Sequence, residues 1–242
     1  MNAVLLLYFA LPKKTSFPSV IVMEGRDTSG FNKYMKNTNP FDGSKVNPTP
    51  LLQFIFPIFS ILNWISIVFA LTEDADFEIG VLLFCLGIGA FVGSIMNLKR
   101  GDPHGNVNLI LSVILGFAGG ITQIAGVMAK TGHIHFHPWI MSVILLFGGL
   151  YMLTFLPLYT DRPLYFWMSH LFVTMGFLFK SMGDLCGVHL LEVIGAWCLF
   201  GFAITGLYAG ISNMYEQCGR QLPQGITFNQ LMQKIESGLH GI

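Results

Sequence analysis

The sequence predicts an all-α membrane protein: a six-helix transmembrane bundle with both termini on the cytoplasmic or matrix side. Apolar residues make up 53% of the 242 residues and charged residues only 11%, less than half of the ~25% that is usual in soluble domains. The charges gather in short segments between six apolar runs. Each run has the length, about 20 residues, that a helix needs to cross the hydrocarbon core of a bilayer.

The apolar runs divide the chain into three parts. Residues 1–46 form a polar N-terminal tail with a short apolar start, residues 47–215 the six-helix transmembrane domain, and residues 216–242 a C-terminal tail. The tail contains a short amphipathic pattern at about Thr227–Leu239. The six transmembrane helices are predicted at about Pro50–Leu71, Glu78–Leu98, Asn106–Ala129, Pro138–Tyr159, Pro163–Met182 and Val188–Tyr215.

The first helix has a clear start signal. Asn47 is a good N-cap residue, and Pro48 and Pro50 fall in the first turn, where a missing N–H group has no helical partner to lose. Pro57 lies inside the same helix and is expected to kink it, which frees the carbonyl of Gln53. Such a kink lines a pore in some membrane proteins and serves packing alone in others, and the sequence leaves both interpretations open.

Small residues four apart predict close packing between the helices. In lipid, such pairs let two backbones approach, because apolar burial alone does not drive helix association. Three helices carry a pair, and together they favour a compact bundle or an oligomer. The pairs are Gly89 and Gly93, Gly116 and Gly120, and Gly206 and Gly210.

The basic residues predict the orientation. Eleven of the thirteen Lys and Arg residues lie in the two tails and in the loops at 99–105 and 160–162, which a six-helix topology places on one side. By the positive-inside rule that side is cytoplasmic or its topological equivalent, such as the mitochondrial matrix. The plasma membrane and the mitochondrial inner membrane are therefore both candidates.

Ionisable residues inside the predicted helices are few. His170 lies about two turns into the fifth helix, and its type permits either a hydrogen-bonded packing role or proton transfer. Lys180, Asp184 and Glu192 lie near helix ends, where long side chains reach the interface. His133, His135 and His137 alternate in a loop beside Trp139, but no fourth ligand lies near them in sequence, so a surface loop is favoured over a zinc site.

Several function classes find no support in the sequence. It has no nucleophile elbow, Walker loop, dinucleotide fingerprint or HExxH motif, so we expect no enzyme, no cofactor and no metal. The formal net charge is zero, which argues against a nucleic-acid partner. The lipid bilayer is the one partner that the composition requires.

Three segments resemble the acetate uptake transporter family, which contains the bacterial and fungal acetate/succinate permeases. The family opens its first helix with Asn-Pro-Ala-Pro-Leu-Gly-Leu, and the corresponding stretch is Asn47–Gln53. Its basic turn with two glycines after the second helix corresponds to Lys99–Gly105, and the Gln-Phe-Gly-Arg stretch with Leu-Pro after the sixth helix to Tyr215–Pro223. The chain is thus identified as a divergent member.

The resemblance implies a six-helix channel or proton-linked carrier for small monocarboxylates that assembles as a hexamer. It also implies a hydrophobic constriction, which by position comprises Phe56, Ser112 and Leu171, with Ser112 in place of the family's tyrosine. The family's Tyr-Gly-Gly and Gln pattern in helix two is replaced by Cys85, Leu86, Gly87 and Ala90.

Two hypotheses follow. The first is a channel or transporter for a small monocarboxylate such as acetate. The second is a transport-inactive structural subunit that keeps the fold, with tails that contact other subunits of a larger membrane assembly.

Overall fold

The computed structural model describes residues 47–132, 135–137 and 139–239. The predicted N-terminal tail, residues 1–46, lies outside these ranges. Within them the chain is helical, with one isolated antiparallel bridge between Pro163 and Thr227. The helices are α1 (Thr49–Val68), α2 (Glu73–Lys99), α3 (His104–Leu111), a π-helical segment (Ser112–Ala118), α4 (Gly119–Lys130), α5 (Trp139–Phe155), a 3₁₀ turn (Leu156–Tyr159), α6 (Leu164–Cys186), α7 (His189–Gln217) and α8 (Phe228–Leu239).

Five helical stretches are long and apolar enough to cross a membrane, judged by length and composition. They are Thr49–Val68, Glu73–Lys99, His104–Lys130, Trp139–Tyr159 and His189–Gln217. The chain is therefore a multi-pass integral membrane protein, and the part that the structure describes is helical. Helix α6 has 23 residues but is more polar, because it carries His170, Lys180 and Asp184, and it does not belong to this set. The count of six transmembrane helices stays a prediction.

Helix α1 begins where the Asn-Pro-Thr-Pro segment predicts. The side-chain Oδ1 of Asn47 accepts a hydrogen bond from the N–H of Thr49 at 3.1 Å, and the carbonyl of Pro48 accepts the N–H of Leu52 at 3.1 Å. Pro48 takes the N-cap position and Pro50 lies in the first turn. The Asn47 side chain is thus one residue farther from the helix than a conventional N-cap, because Pro48 has no side-chain oxygen that could accept a hydrogen bond.

Helix α2 begins five residues earlier than the sequence predicts. The Thr72 hydroxyl accepts the N–H of Ala75 at 3.3 Å, and Glu73, Asp74 and Asp76 occupy the first turn. Acidic side chains are favourable there because they complement the positive end of the helix dipole. The charge of these three residues alone predicts a loop, but with the Thr72 cap before them they form the first turn of α2.

The third transmembrane stretch is continuous from His104 to Lys130, but its middle is a π-helix. A methyl group added to Gly116 in this segment would lie 2.6 Å from the Cα of Gly87 on α2. The two backbones therefore touch at a pair of glycines, as the small-residue pattern predicts for the third helix. One turn farther on, a methyl group at Gly120 would lie 2.7 Å from the carbonyl oxygen of Gly80.

Helices α1 and α7 meet at Pro57. Pro57 lies inside α1 and its ring contacts Gly206, where an added methyl group would be 3.3 Å from the ring Cγ. A methyl group at Gly210 would be 3.2 Å from the Gln53 carbonyl oxygen, the acceptor that Pro57 leaves without its helical donor. The two α7 glycines thus bring the backbone of α7 against the part of α1 around Pro57. The kink expected at Pro57 stays a prediction.

Candidate permeation path

Two cavities open at opposite ends of the bundle. The first cavity, about 680 Å³, lies where α1, α3 and α6 begin and α7 ends. The second cavity, about 630 Å³, lies where α2, α5 and α7 begin and α1, α4 and α6 end. We call these the first end and the second end of the bundle. The basic loops at 99–105 and 160–162 belong to the first end.

The wall of the first cavity is rich in amides. Gln53, Asn108, Asn213 and Gln217 line it, and the Nδ2 of Asn213 donates to the Oε1 of Gln53 at 2.6 Å. This bond uses the amide nitrogen of Asn213 and the amide oxygen of Gln53. Asn213 therefore keeps its amide oxygen, and Gln53 its amide nitrogen, for a further partner. Uncharged amides of this kind hydrogen-bond a carboxyl group without introducing a charge.

Charged side chains of the first cavity lie in its loops and at an exposed helix end. They are Asp102, Arg162 and Glu216. Asp102 also organises the start of α3, because its Oδ1 accepts the N–H of His104 at 3.0 Å. The outer part of the cavity therefore carries both signs of charge, and Arg162 supplies the cationic group.

A cluster of aromatic rings forms one side of the first cavity. The Nδ1 of His104 lies 2.8 Å from the hydroxyl of Tyr159, and the Tyr159 ring lies 4.2 Å from that of His170 between centroids. Phe166 completes the cluster at 4.6 Å from His170. His104, Phe166 and His170 line the cavity, so two imidazoles face the same space as the amides and, farther out, the charged side chains.

The floor of the first cavity is apolar. Phe56, Leu111 and Phe202 line it and are 3%, 3% and 6% exposed. Beyond them come Ile114, Leu115 and Leu199, which line the second cavity. Phe59, Val173 and Phe177 are fully buried in the same core cluster. We call these nine residues the apolar barrier.

The second cavity carries paired charges. Lys130 lies 3.7 Å from Asp76, whose other oxygen accepts from Gln123 at 3.3 Å. Lys180 lies 3.3 Å from Asp184, which also accepts the Ser142 hydroxyl at 2.9 Å. Asp76 and Asp184 thus each have a cation and a neutral donor, so this end is polar and holds these charges in local pairs.

Helices α1, α6 and α7 and the third transmembrane stretch contribute residues to both cavities. On α1, Phe56 lines the first cavity and Asn63 the second, seven residues or about 10 Å apart along the axis. On the third stretch, Leu111 lines the first and Ile114 the second, separated by less than one turn at the start of the π-helix. π-Helical turns often occur at functional sites, and this one lies within the barrier.

The three residues predicted as a constriction lie in different surroundings. Phe56 is buried at the floor of the first cavity. Ser112 is fully buried between α2 and the π-helix, where its hydroxyl donates to the Asn108 carbonyl at 2.7 Å and lies 3.2 Å from the Ser94 hydroxyl. Leu171 is half-buried, and neither it nor Ser112 lines either cavity. The three-residue constriction stays a prediction, and the structure brings only Phe56 to a cavity.

The predicted start motif of α1 lies at the rim of the first cavity. Asn47 is exposed and lines it, while Pro48 is buried and Pro50 half-buried. The loop histidines are described only in part: His135 and His137 belong to the described residues, and His133 does not. Among the described residues, no group of three or more His, Cys, Asp or Glu side chains is arranged to hold a metal ion.

Four residues at the first cavity are not predicted from the sequence: His104, Tyr159, Leu111 and Phe202. His104 and Tyr159 lie at the two loops of the first end, 55 positions apart in the chain. The sequence does contain a signal for these two residues. If the helices alternate in direction, both loops lie at the same end of the bundle as the first turns of the fifth helix, and therefore near His170. Leu111 and Phe202 carry no signal, because an apolar residue in an apolar helix does not reveal which face it occupies.

The C-terminal tail packs beside the first cavity. The Leu164 N–H donates to the Ile226 carbonyl at 2.9 Å, and the Phe228 ring stacks on Trp167 with centroids 4.2 Å apart. Gln224 of the same segment lines the cavity. The amphipathic pattern predicted from Thr227 is present as α8, and the tail that leads to it passes the cavity entrance.

Comparison with known proteins finds a relative by fold. No family model matches the chain, and no curated protein matches it. Among solved structures, the chain is similar to the bacterial acetate channel SatP, with a TM-score of 0.61 and 21% sequence identity over 74% of this chain and 99% of the channel. The resemblance read from the three motifs is thus supported by an independent structural match. The helical bundle that carries the two cavities has the fold of a bacterial acetate channel.

Proposed function

We propose that this protein lets a small monocarboxylate such as acetate cross a bilayer, as a channel or a carrier. The observation that supports this most is the pair of cavities at opposite ends, to both of which α1, α6, α7 and the third stretch contribute residues, with the apolar barrier between them. The fold shared with an acetate channel supports the substrate class. A channel with a hydrophobic constriction closes when that constriction excludes water.

The chemistry of the path suits a weak acid. A carboxylate that enters the barrier loses its hydration and meets no counter-charge, which is costly. The neutral acid avoids that cost, and the amides and imidazoles of the first cavity supply hydrogen bonds before the barrier. The absence of any carboxylate or cation from the barrier residues is consistent with passage in the neutral form.

The remaining sequence predictions form part of this proposal. We propose six transmembrane helices, with α6 as the fifth, and both termini on the cytoplasmic or matrix side. The basic loops at the first end support this orientation by the positive-inside rule. A hexamer follows from the family resemblance, and the plasma membrane and the mitochondrial inner membrane both remain candidates.

Uptake into liposomes tests the proposal. Purified protein is reconstituted into liposomes that have no acid-inside pH gradient. Their uptake of labelled acetate is compared with that of protein-free liposomes of the same lipid. We expect faster acetate uptake with no increase in glucose uptake, which controls for leaks. Uptake equal to that of protein-free liposomes would contradict the proposal and favour a structural subunit.

A further inference from the structure

His170 has one nitrogen occupied and one available. Its Nδ1 lies 3.0 Å from the backbone carbonyl of Phe166. A carbonyl oxygen only accepts, so Nδ1 carries the hydrogen. Among the described residues, the Nε2 has no hydrogen-bond partner, although the residue lines the first cavity.

This bond determines the chemistry that His170 offers. In the neutral ring, a hydrogen on Nδ1 leaves a lone pair on Nε2, which makes Nε2 an acceptor. It suits a ligand that donates an O–H or N–H group. A carboxylate has no such group, whereas a carboxylic acid has one.

The groups around His170 do not supply that donor. His104 and Tyr159 bond each other, and the charged residues that line the cavity are Asp102, Arg162 and Glu216 in loops and at a helix end. Lys180 and Asp184 of its own helix pair with each other at the second end. No carboxylate within the described ranges forms an ion pair with His170.

We propose that the Nε2 of His170 accepts a hydrogen bond from the acid O–H of the permeating monocarboxylic acid and so selects the neutral form. This inference rests on the proposed function and names the recognition group for its substrate. No proton is transferred in the step: the O–H bond stays intact and one hydrogen bond replaces another from water. Selection at this point matters because the apolar barrier lies next on the path.

Asn108 supplies the complementary donor. It lines the same cavity one turn beyond His104, on the side of the barrier residue Leu111. Its backbone carbonyl accepts from Ser112, and its side-chain amide is engaged by no other described residue. Because Asn108 and His170 line the same cavity, we expect an acid that donates to His170 to accept a hydrogen bond from the Asn108 amide at its carbonyl oxygen.

A pair of isosteric neutral probes tests the site without a change in pH. Acetamide has an N–H donor where acetone has a methyl group, and neither ionises near neutral pH. We expect acetamide to shift the ¹⁵N resonance of the His170 Nε2 in histidine-labelled protein and to inhibit acetate uptake. Acetone at the same concentration should do neither, because it has nothing to donate.

Three variants assign the effect to His170. His170→Met removes the acceptor and should lower acetate uptake about fivefold, the loss expected for one hydrogen bond, and should abolish inhibition by acetamide. His170→Gln offers an amide oxygen as acceptor and should keep both the acetate uptake and its inhibition by acetamide. His189→Gln changes an exposed histidine at the second end and should behave as the unmodified protein does.

The outcomes separate the two proposals. Equal effects of acetamide and acetone, or acetamide inhibition of His170→Met that matches the unmodified protein, would overturn the role of His170. An acetamide-dependent shift of the His170 resonance in a protein that does not take up acetate would support the site and contradict the transport function.

Discussion

At the residue scale, two phenylalanines two positions apart on α1 have opposite environments. Phe56 is 3% exposed and forms part of the apolar barrier, whereas Phe54 is 54% exposed on the outer surface of the bundle. They have the same side chain and belong to the same turn. The pair therefore separates the effect of the barrier from the effect of losing a ring in this helix.

Phe56→Ala should raise acetate uptake by liposomes about tenfold, because a large side chain is removed from a constriction that excludes water. Phe54→Ala is the matched control and should leave uptake unchanged. A cavity in the core also lowers stability, so one variant alone is not sufficient. Phe202→Ala is therefore a second variant, which removes a barrier side chain from α7. Unchanged uptake in both well-folded barrier variants would show that these residues do not form the barrier.

At the element scale, the contact between α2 and the π-helix depends on the absence of side chains. The Cα of Gly87 leaves no room for a methyl group at Gly116. A methyl group added to Gly89, on α2, would lie 3.7 Å from the Cδ1 of Ile55, which is an ordinary van der Waals distance. The small-residue pattern in the sequence is the same in both helices, but the packing is close at only one of these positions.

Gly116→Ala should destabilise the bundle by about 1–3 kcal/mol, because the helices must separate to admit the methyl group. Gly89→Ala should be neutral or slightly stabilising, since it removes a flexible residue from a helix interior. Thermal unfolding in detergent, followed by helical circular dichroism, measures both. A midpoint for Gly116→Ala equal to that of Gly89→Ala would refute the close contact.

The C-terminal tail contacts the bundle through backbone hydrogen bonds, such as that from the Leu164 N–H to the Ile226 carbonyl, and through the Trp167–Phe228 stack. Phe228→Ala should increase tryptic cleavage at the exposed Arg220 and Lys234 about fivefold, because an aromatic pair contributes about 1 kcal/mol and cleavage follows the open population. Met232→Ala, which changes an exposed side chain in the same helix, is the control. Equal cleavage of the two variants would mean that the stack does not hold the tail.

At the scale of the whole molecule, two exposed native cysteines report on orientation. Cys218 follows α7 at the first end, and Cys186 ends α6 at the second end. If both termini are cytoplasmic, a membrane-impermeant maleimide added to intact cells should label Cys186 in a protein that keeps only that cysteine. It should label a protein that keeps only Cys218 after the cells are opened. The reverse labelling pattern would show that both termini lie on the opposite side of the membrane.

The sequence alone predicts the class of the protein and most of its helices. Long apolar runs, few charges and prolines at a helix start are local signals, and the start of α1 at Asn47–Thr49 matches them. The start of α2 at Glu73 differs, because a single cap at Thr72 outweighs the polarity of three acidic residues. None of these local signals predicts the π-helix at Ser112–Ala118.

The candidate site shows the same division. His170 is identifiable from the sequence as an ionisable residue inside an apolar helix, and Phe56 by its position in a motif. Their surroundings are decided by tertiary structure: His104 and Tyr159 join His170 only because two loops meet at one end of the bundle. Composition and periodicity determine that these segments are membrane helices. Which faces of those helices turn toward the path is decided by glycine contacts between residues far apart in the chain, which no local pattern encodes.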